Sequence, residues 1–193
     1  MIINPKMTAI KRSDNGSNLD GLFGYTAGDV ENTREVEVIS MSEFDEIIEE
    51  FKENNYCSIP DSFVSDKVFT PNEINLIAML IDPFYDKSQM GIPGGLFLTQ
   101  LIKNSYEANH NEFNFNFLGL RNKISYLGYQ LCGTEDRPIK INIVGNVGFN
   151  LFTSSQNIDA KFDGNILDGF LAYAINSKVY VKGNLDYNAF MNA

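Results

Sequence analysis

A nineteen-residue pattern written three times at the end of the chain constrains its fold more than any other feature. The copies occupy residues 138–156, 157–175 and 176–193, the last one residue short. They align without a gap on Gly145, Gly164 and Gly183, each followed by an asparagine, Asn146, Asn165 and Asn184. Four positions before each glycine stand Ile141, Ala160 and Val179; two before it stand Ile143, Phe162 and Val181. Two after come Val147, Ile166 and Leu185, five after come Asn150, Gly169 and Asn188, and seven after come Phe152, Leu171 and Phe190. Apolar residues spaced by two mark a strand, not a helix. Glycine and asparagine at the later positions tolerate positive φ and so mark bends. A strand, a bend, a short apolar step and a second bend, repeated at a fixed period, predict one coil of a β-solenoid. Stacked coils pair equal positions in parallel about 4.8 Å apart, which makes Ile143, Phe162 and Val181 one interior column. The competing architecture is a β-meander, for which nineteen residues exceeds the usual strand of about five or six.

Within residues 138–193 the chain resembles the GXGXG-type right-handed β-solenoid, found as the C-terminal domain of the large subunit of glutamate synthase and in a subunit of formylmethanofuran dehydrogenase. The resemblance rests on Gly145, Asn146, Val147 and Gly148, which match the start of the motif behind an alternating strand. Phe152 stands where the motif's third glycine would be, and Leu167 and Asp186 stand at its second glycine in the later copies. The resemblance implies a structural domain that supports its neighbours and carries no catalysis.

At 193 residues the chain is long enough to bury a core without staples, and 44% apolar residues place it among globular proteins. It has no run of eighteen apolar residues and no basic-then-apolar leader, so the expectation is a cytoplasmic protein with no membrane contact. Cys57 and Cys132 are far apart and in no metal spacing, which predicts two buried small hydrophobes. A formal net charge of −10 repels a nucleic-acid backbone and argues against binding one.

Taken in order, the chain is expected to open with a short strand and a turn-rich segment, residues 13–18. Asp14, Asn18 and Asp20 lack the far carboxylate of a calcium loop and read as polar turn. Residues 34–40 alternate through Glu35, Val36, Glu37 and Val38 as a strand with one wet face. A helix follows, with capping-box-like spacing of Ser42 and Asp45 and an apolar stripe of Phe44, Ile47, Ile48 and Phe51. Its other face carries Glu46, Glu49, Glu50 and Glu53 beside Glu43. Residues 28–54 hold ten acids against Arg34 and Lys52, leaving a net charge of −8 in that stretch. This is either a solvated helix face or a docking patch for a basic partner, acting as a nucleic-acid mimic.

Thr70, Pro71 and Glu73 form a strong helix start, after which Ile74, Ile77, Leu80 and Ile81 bury one face until Asp82 and Pro83 end it. Residues 91–95 read as a loop without the lysine of a phosphate site. A third helix over residues 96–108 carries Phe97, Leu101 and Ile102, widened by Leu98 and Tyr106. Phe113, Phe115 and Phe117 then alternate toward Gly119 like the strands of the repeats, but the register fails at Arg121. Ile124, Tyr126 and Gly128 give a second partial match, so residues 113–133 are expected to form one irregular first coil.

His110 is the only histidine and lies at an expected helix end, where a capping or surface role outweighs catalysis. Asp159, Asp163, Asp168 and Asp186 fall on the repeats, and Asp163 aligns with Lys182, which predicts an ion pair between copies. No nucleophile and base, cofactor loop or metal cluster stands at a telling spacing, so no catalytic, cofactor or metal residue is assigned.

The sequence therefore predicts an α+β protein: an N-terminal region of strand and three helices, residues 1–112, packed on a C-terminal right-handed parallel β-solenoid of three to four coils, residues 113–193. Gly145, Asn146, Gly164, Asn165, Gly183 and Asn184 are its structural residues. The function expected is a non-catalytic scaffold or protein-interaction module. An acidic inhibitor acting through residues 28–54, and an enzyme with a cleft between helices and solenoid, are the alternatives. Val179 and Val181 are expected in a terminal parallel strand with one edge unpaired, which invites a homodimer or a protein partner through residues 177–190.

Overall fold

The computed structural model describes residues 41–53, 67–84 and 92–185, all within a compact unit spanning residues 39–193. The expected strand at residues 34–40, the turn-rich start, Cys57, Asp186, Asn188 and Phe190 lie outside the described residues. Three α-helices, α1 (Met41–Glu53), α2 (Pro71–Ile81) and α3 (Ile92–Glu107), precede four strands, β1 (Glu112–Asn116), β2 (Ile139–Val144), β3 (Ile158–Asp163) and β4 (Lys178–Lys182). The strands form one parallel sheet in the order β1-β2-β3-β4, which makes the protein α+β. None of the helices is long and apolar enough to cross a membrane, among the described residues.

Each helix forms where its apolar stripe meets the core. On α1, Ile47 and Phe51 are one turn apart and fully buried, with the Phe51 ring 5.2 Å from that of Phe97 on α3. At the start of α2 the Glu73 carboxylate accepts the Thr70 backbone N–H at 2.7 Å, satisfying one of the donors a helix N-terminus leaves free. Ile74, Ile77, Ala78 and Ile81 are buried, whereas Leu80, expected on that face, is 39% exposed. α3 begins earlier than expected, taking in Pro93, Gly94 and Gly95 from the anticipated loop. A Cβ on Gly95 would fall 2.8 Å from the backbone nitrogen of Leu127, so only a bare backbone lets α3 approach that close.

The sheet register follows the repeat. Ile141 pairs with Ala160 and Ala160 with Val179, and Ile143 pairs with Phe162 and Phe162 with Val181, each partner nineteen residues on. Phe113 and Phe115 of β1 extend both columns, pairing with Ile141 and Ile143. Beyond the strands, the chain turns at equivalent places nineteen residues apart among the described residues. Asn150 and Gly169 have positive φ, as do Phe152 and Leu171, Ser154 and Tyr173, and Asn157 and Asn176. A flat strand sends neighbours to opposite faces, yet Leu151 and Phe152 are both fully buried. The left-handed residues on either side of Leu151 turn the chain so that both face inward. Phe152, Phe162 and Phe170 meet there edge to face, with centroids 5.3 to 6.2 Å apart.

Register fails in the segment before the repeats because of two insertions. β1 pairs with residues 28 further on, Cys132 bridges to Gln156 24 further on, and Gln156 to Ile175 19 further on. The difference between 28 and 24 places four extra residues between β1 and Tyr126. The difference between 24 and 19 places five more, residues 134–138, between Gly133 and Ile139. With these removed, Tyr126, Gly128 and Gln130 fall in line with Asn150, Phe152 and Ser154, and all six have positive φ.

Candidate functional site

Burial falls along the sheet toward β4. Val147 and Ile166 are essentially buried while Leu185, the next in that column, is 39% exposed. Phe113, Ile141 and Ala160 are fully buried and Phe115, Ile143 and Phe162 nearly so, but Val179 and Val181 are only half covered. Between them Tyr180 points to the other face and is 66% exposed, and Tyr173 and Ile175 are exposed nearby. β4 is the end strand of the sheet, so among the described residues no strand pairs with its outward edge. An end strand with a half-covered apolar row is a template for another strand.

The opposite end is closed. α2 packs against β1, and the Asn75 side chain accepts the Asn116 backbone N–H at 3.0 Å. A helix cannot continue a sheet ladder, but a single amide side chain placed at the strand's edge pairs one of its backbone donors.

The outward face of the sheet is ordered by charge. Along one column stand Glu112, Lys140, Asp159 and Lys178, alternating in sign at every step. Along another, Asp163 and Lys182 form the expected ion pair at 2.9 Å. The hydrogen bond to Asp163 and its negative charge raise the Lys182 ammonium above its ordinary pKa. Asparagine side chains add a second ladder. Asn146 Oδ1 accepts the Asn165 backbone N–H, and Asn165 Oδ1 that of Asn184, both at 3.0 Å. The glycine before each lies against the previous copy: a Cβ on Gly164 or Gly183 would fall 2.6 Å from the carbonyl carbon of Gly145 or Gly164.

The acidic residues of α1 have local partners. Glu46 pairs with Lys67 at 2.9 Å and Glu49 with Lys52 at 2.6 Å; Glu50 is half-buried on the same helix, and the Glu53 side chain lies outside the described residues. His110 is half-buried, with its backbone N–H on the Ser105 carbonyl at the end of α3. Cys132, expected to be buried, is exposed, because its place in the parallel bridge to Gln156 turns its side chain outward. No cluster of three metal-ligating side chains occurs among the described residues.

The residues sequence reasoning missed are those by which the helices grip the two insertions. Asp82, buried at the end of α2, accepts the backbone N–H groups of Arg121 and Asn122, each at 3.0 Å. Tyr106, near the end of α3, donates its hydroxyl to the Arg137 carbonyl at 2.6 Å and accepts the Thr134 N–H at 3.0 Å, with the Arg137 guanidinium 4.0 Å above its ring. Burial raises the Tyr106 phenol's pKa, but the hydrogen bonds with Thr134 and Arg137 outweigh it and leave the value lowered. Between them Thr99 accepts the Gly128 N–H at 2.7 Å. An aspartate before a proline at a helix end was the one visible signal, since a carboxylate there is free to serve another loop.

Comparison with protein-family models, curated proteins and solved structures gives no match for this chain.

Proposed function

We propose that the chain is a non-catalytic protein-interaction module built on a short right-handed parallel β-solenoid of three to four coils, with residues 113–133 as its irregular first coil. The GXGXG-like start at Gly145 to Gly148 supports that architecture, and so do the recurring left-handed turns and the asparagine ladder. Its helical region closes one end of the stack and its last coil receives a protein partner or a second copy through residues 177–190. The observation that carries the reading is the contrast at the sheet's two ends: Asn75 satisfies β1, while Val179 and Val181 on β4 are half-exposed.

Light scattering on the purified chain and on a Val181→Lys variant tests it. A dimer that the variant converts to monomer with an unchanged circular dichroism spectrum would make a second copy the occupant of the last coil. If the chain is monomeric, the reading requires a hetero-partner whose binding Val181→Lys abolishes. An assembly indifferent to Val181→Lys would place the interface elsewhere.

A further inference from the structure

The geometry points to the occupant of the β4 edge being an acidic strand from a partner protein, one that alternates acid, apolar, polar, apolar and acid. This deepens the reading of the last repeat as an interaction surface and rests on it.

The argument starts from the columns. In a parallel stack each new strand sets its side chains directly beside those of the last, and opposite charges side by side on one face are favourable while like charges are not. One outward column reads Glu112, Lys140, Asp159, Lys178. Its next member, continuing the alternation, is an acid. The column that ends in Asp163 and Lys182 calls for an acid as well, since the Lys182 ammonium has three donors and Asp163 occupies one. Lys178 and Lys182 are four residues apart, hence on the same face of β4, and both are exposed. Between them Tyr180 offers an outward face for a polar or aromatic neighbour, and Val179 and Val181 require apolar residues facing inward. The complementary strand therefore reads acid, apolar, polar, apolar, acid, the same in both directions, so the pattern serves a parallel or an antiparallel approach.

Charge also separates this occupant from a second copy. An antiparallel pairing that uses the whole of β4 centres on Tyr180 and sets Lys178 against the Lys182 of the other copy. Addition of a partner's strand to a free edge draws affinity from main-chain hydrogen bonds and selectivity from alternate side chains, which here are two lysines and two half-covered valines. The chain's net charge of −10 works against any acidic ligand at long range. Preference for an acidic strand can then come only from the local face.

The experiment uses the full chain and three fluorescein-labelled nine-residue peptides with the cores Glu-Val-Thr-Val-Glu, Lys-Val-Thr-Val-Lys and Glu-Thr-Val-Thr-Glu, read by anisotropy at low and at physiological salt. The first is expected to bind at least about tenfold tighter than the other two, with the advantage over the lysine peptide shrinking as salt rises. A K178E/K182E double variant changes only exposed side chains, and circular dichroism confirms its fold. In it the preference should pass to the lysine peptide. Equal binding of the acidic and basic peptides, binding of none of the three, or a preference unchanged in the double variant would each overturn the acidic-strand proposal. The interaction reading fails separately, when Val181→Lys leaves every assembly of the chain intact.

Discussion

The two ends of the sheet are built from the same kind of strand and treated in opposite ways. β1 carries three phenylalanines in its neighbourhood, Phe113, Phe115 and Phe117, all buried, and α2 packs against it with Asn75 on its edge. β4 carries two valines in the same columns, half-covered, with lysines flanking them. Large aromatic residues are useful only where something covers them, since a buried phenylalanine contributes up to about 3 kcal/mol and an exposed one invites aggregation. Smaller β-branched residues between lysines keep an exposed sheet edge from aggregating.

The sharpest way to break this comparison is to truncate the same column in the middle and at the end. Phe162 is buried against Phe152 and Phe170, and its replacement by alanine should cost about 3 to 5 kcal/mol. Val181→Ala, one step along the column, removes two methyl groups that are only partly buried and should cost about 1 kcal/mol or less. Chemical denaturation of both variants measures the difference. Equal losses would mean that β4 is as covered as β3.

The grip of the helices on the first insertion is next in size. Asp82→Ala leaves the Arg121 and Asn122 N–H groups without their acceptor and should cost roughly 3 kcal/mol. Asp82→Asn, which keeps one acceptor oxygen, should recover part of it. A thermal unfolding scan showing no loss for alanine would detach the closed end of the sheet from α2.

Those grips also mark the limit of what was legible in the sequence. The parallel register from β2 to β4 follows from apolar pairs at a constant spacing, so Ile143, Phe162 and Val181 could be placed side by side from letters alone. The ion pair of Asp163 with Lys182 followed from the same alignment. Residues 113–133 resisted because four inserted residues shift one half against the other, and a shifted repeat has no period to detect. Asp82 and Tyr106 were hidden for a different reason. Their partners are main-chain groups about forty and thirty residues away, and a backbone N–H or carbonyl leaves no trace in composition. The early start of α3 was missed because Gly94 and Gly95 read as breakers, whereas Gly95 is needed for close packing against Leu127.

Gly164→Ala tests the contact between copies. Gly164 has φ of 158° and its missing Cβ faces the Gly145 carbonyl carbon at 2.6 Å, so alanine should cost about 1 to 3 kcal/mol. Gly183→Ala meets the Gly164 carbonyl in the same way, but its own strand is at the open end and can shift outward. The midpoint change there should be the smaller of the two. A larger loss at Gly183 would mean that the open end is held as firmly as the middle.

The smallest expected effect concerns the ion pair on the open edge. Lys182 and Asp163 are both largely exposed, so solvent screens the pair, and replacing Lys182 with methionine should leave the denaturation midpoint near neutral pH unchanged within error. The pH dependence is the better probe. The hydrogen bond and the charge of Asp163 raise the Lys182 pKa above its ordinary 10.5, so the folded chain holds that proton more tightly than the unfolded one. The contribution is then fully present below about pH 10.5 and is lost as pH rises through the folded value, which makes stability fall with pH in that window. The parent should lose stability slightly more steeply than Lys182→Met above pH 10.5, with the two curves parallel below it. Parallel curves throughout would show that the pair adds nothing to the folded state.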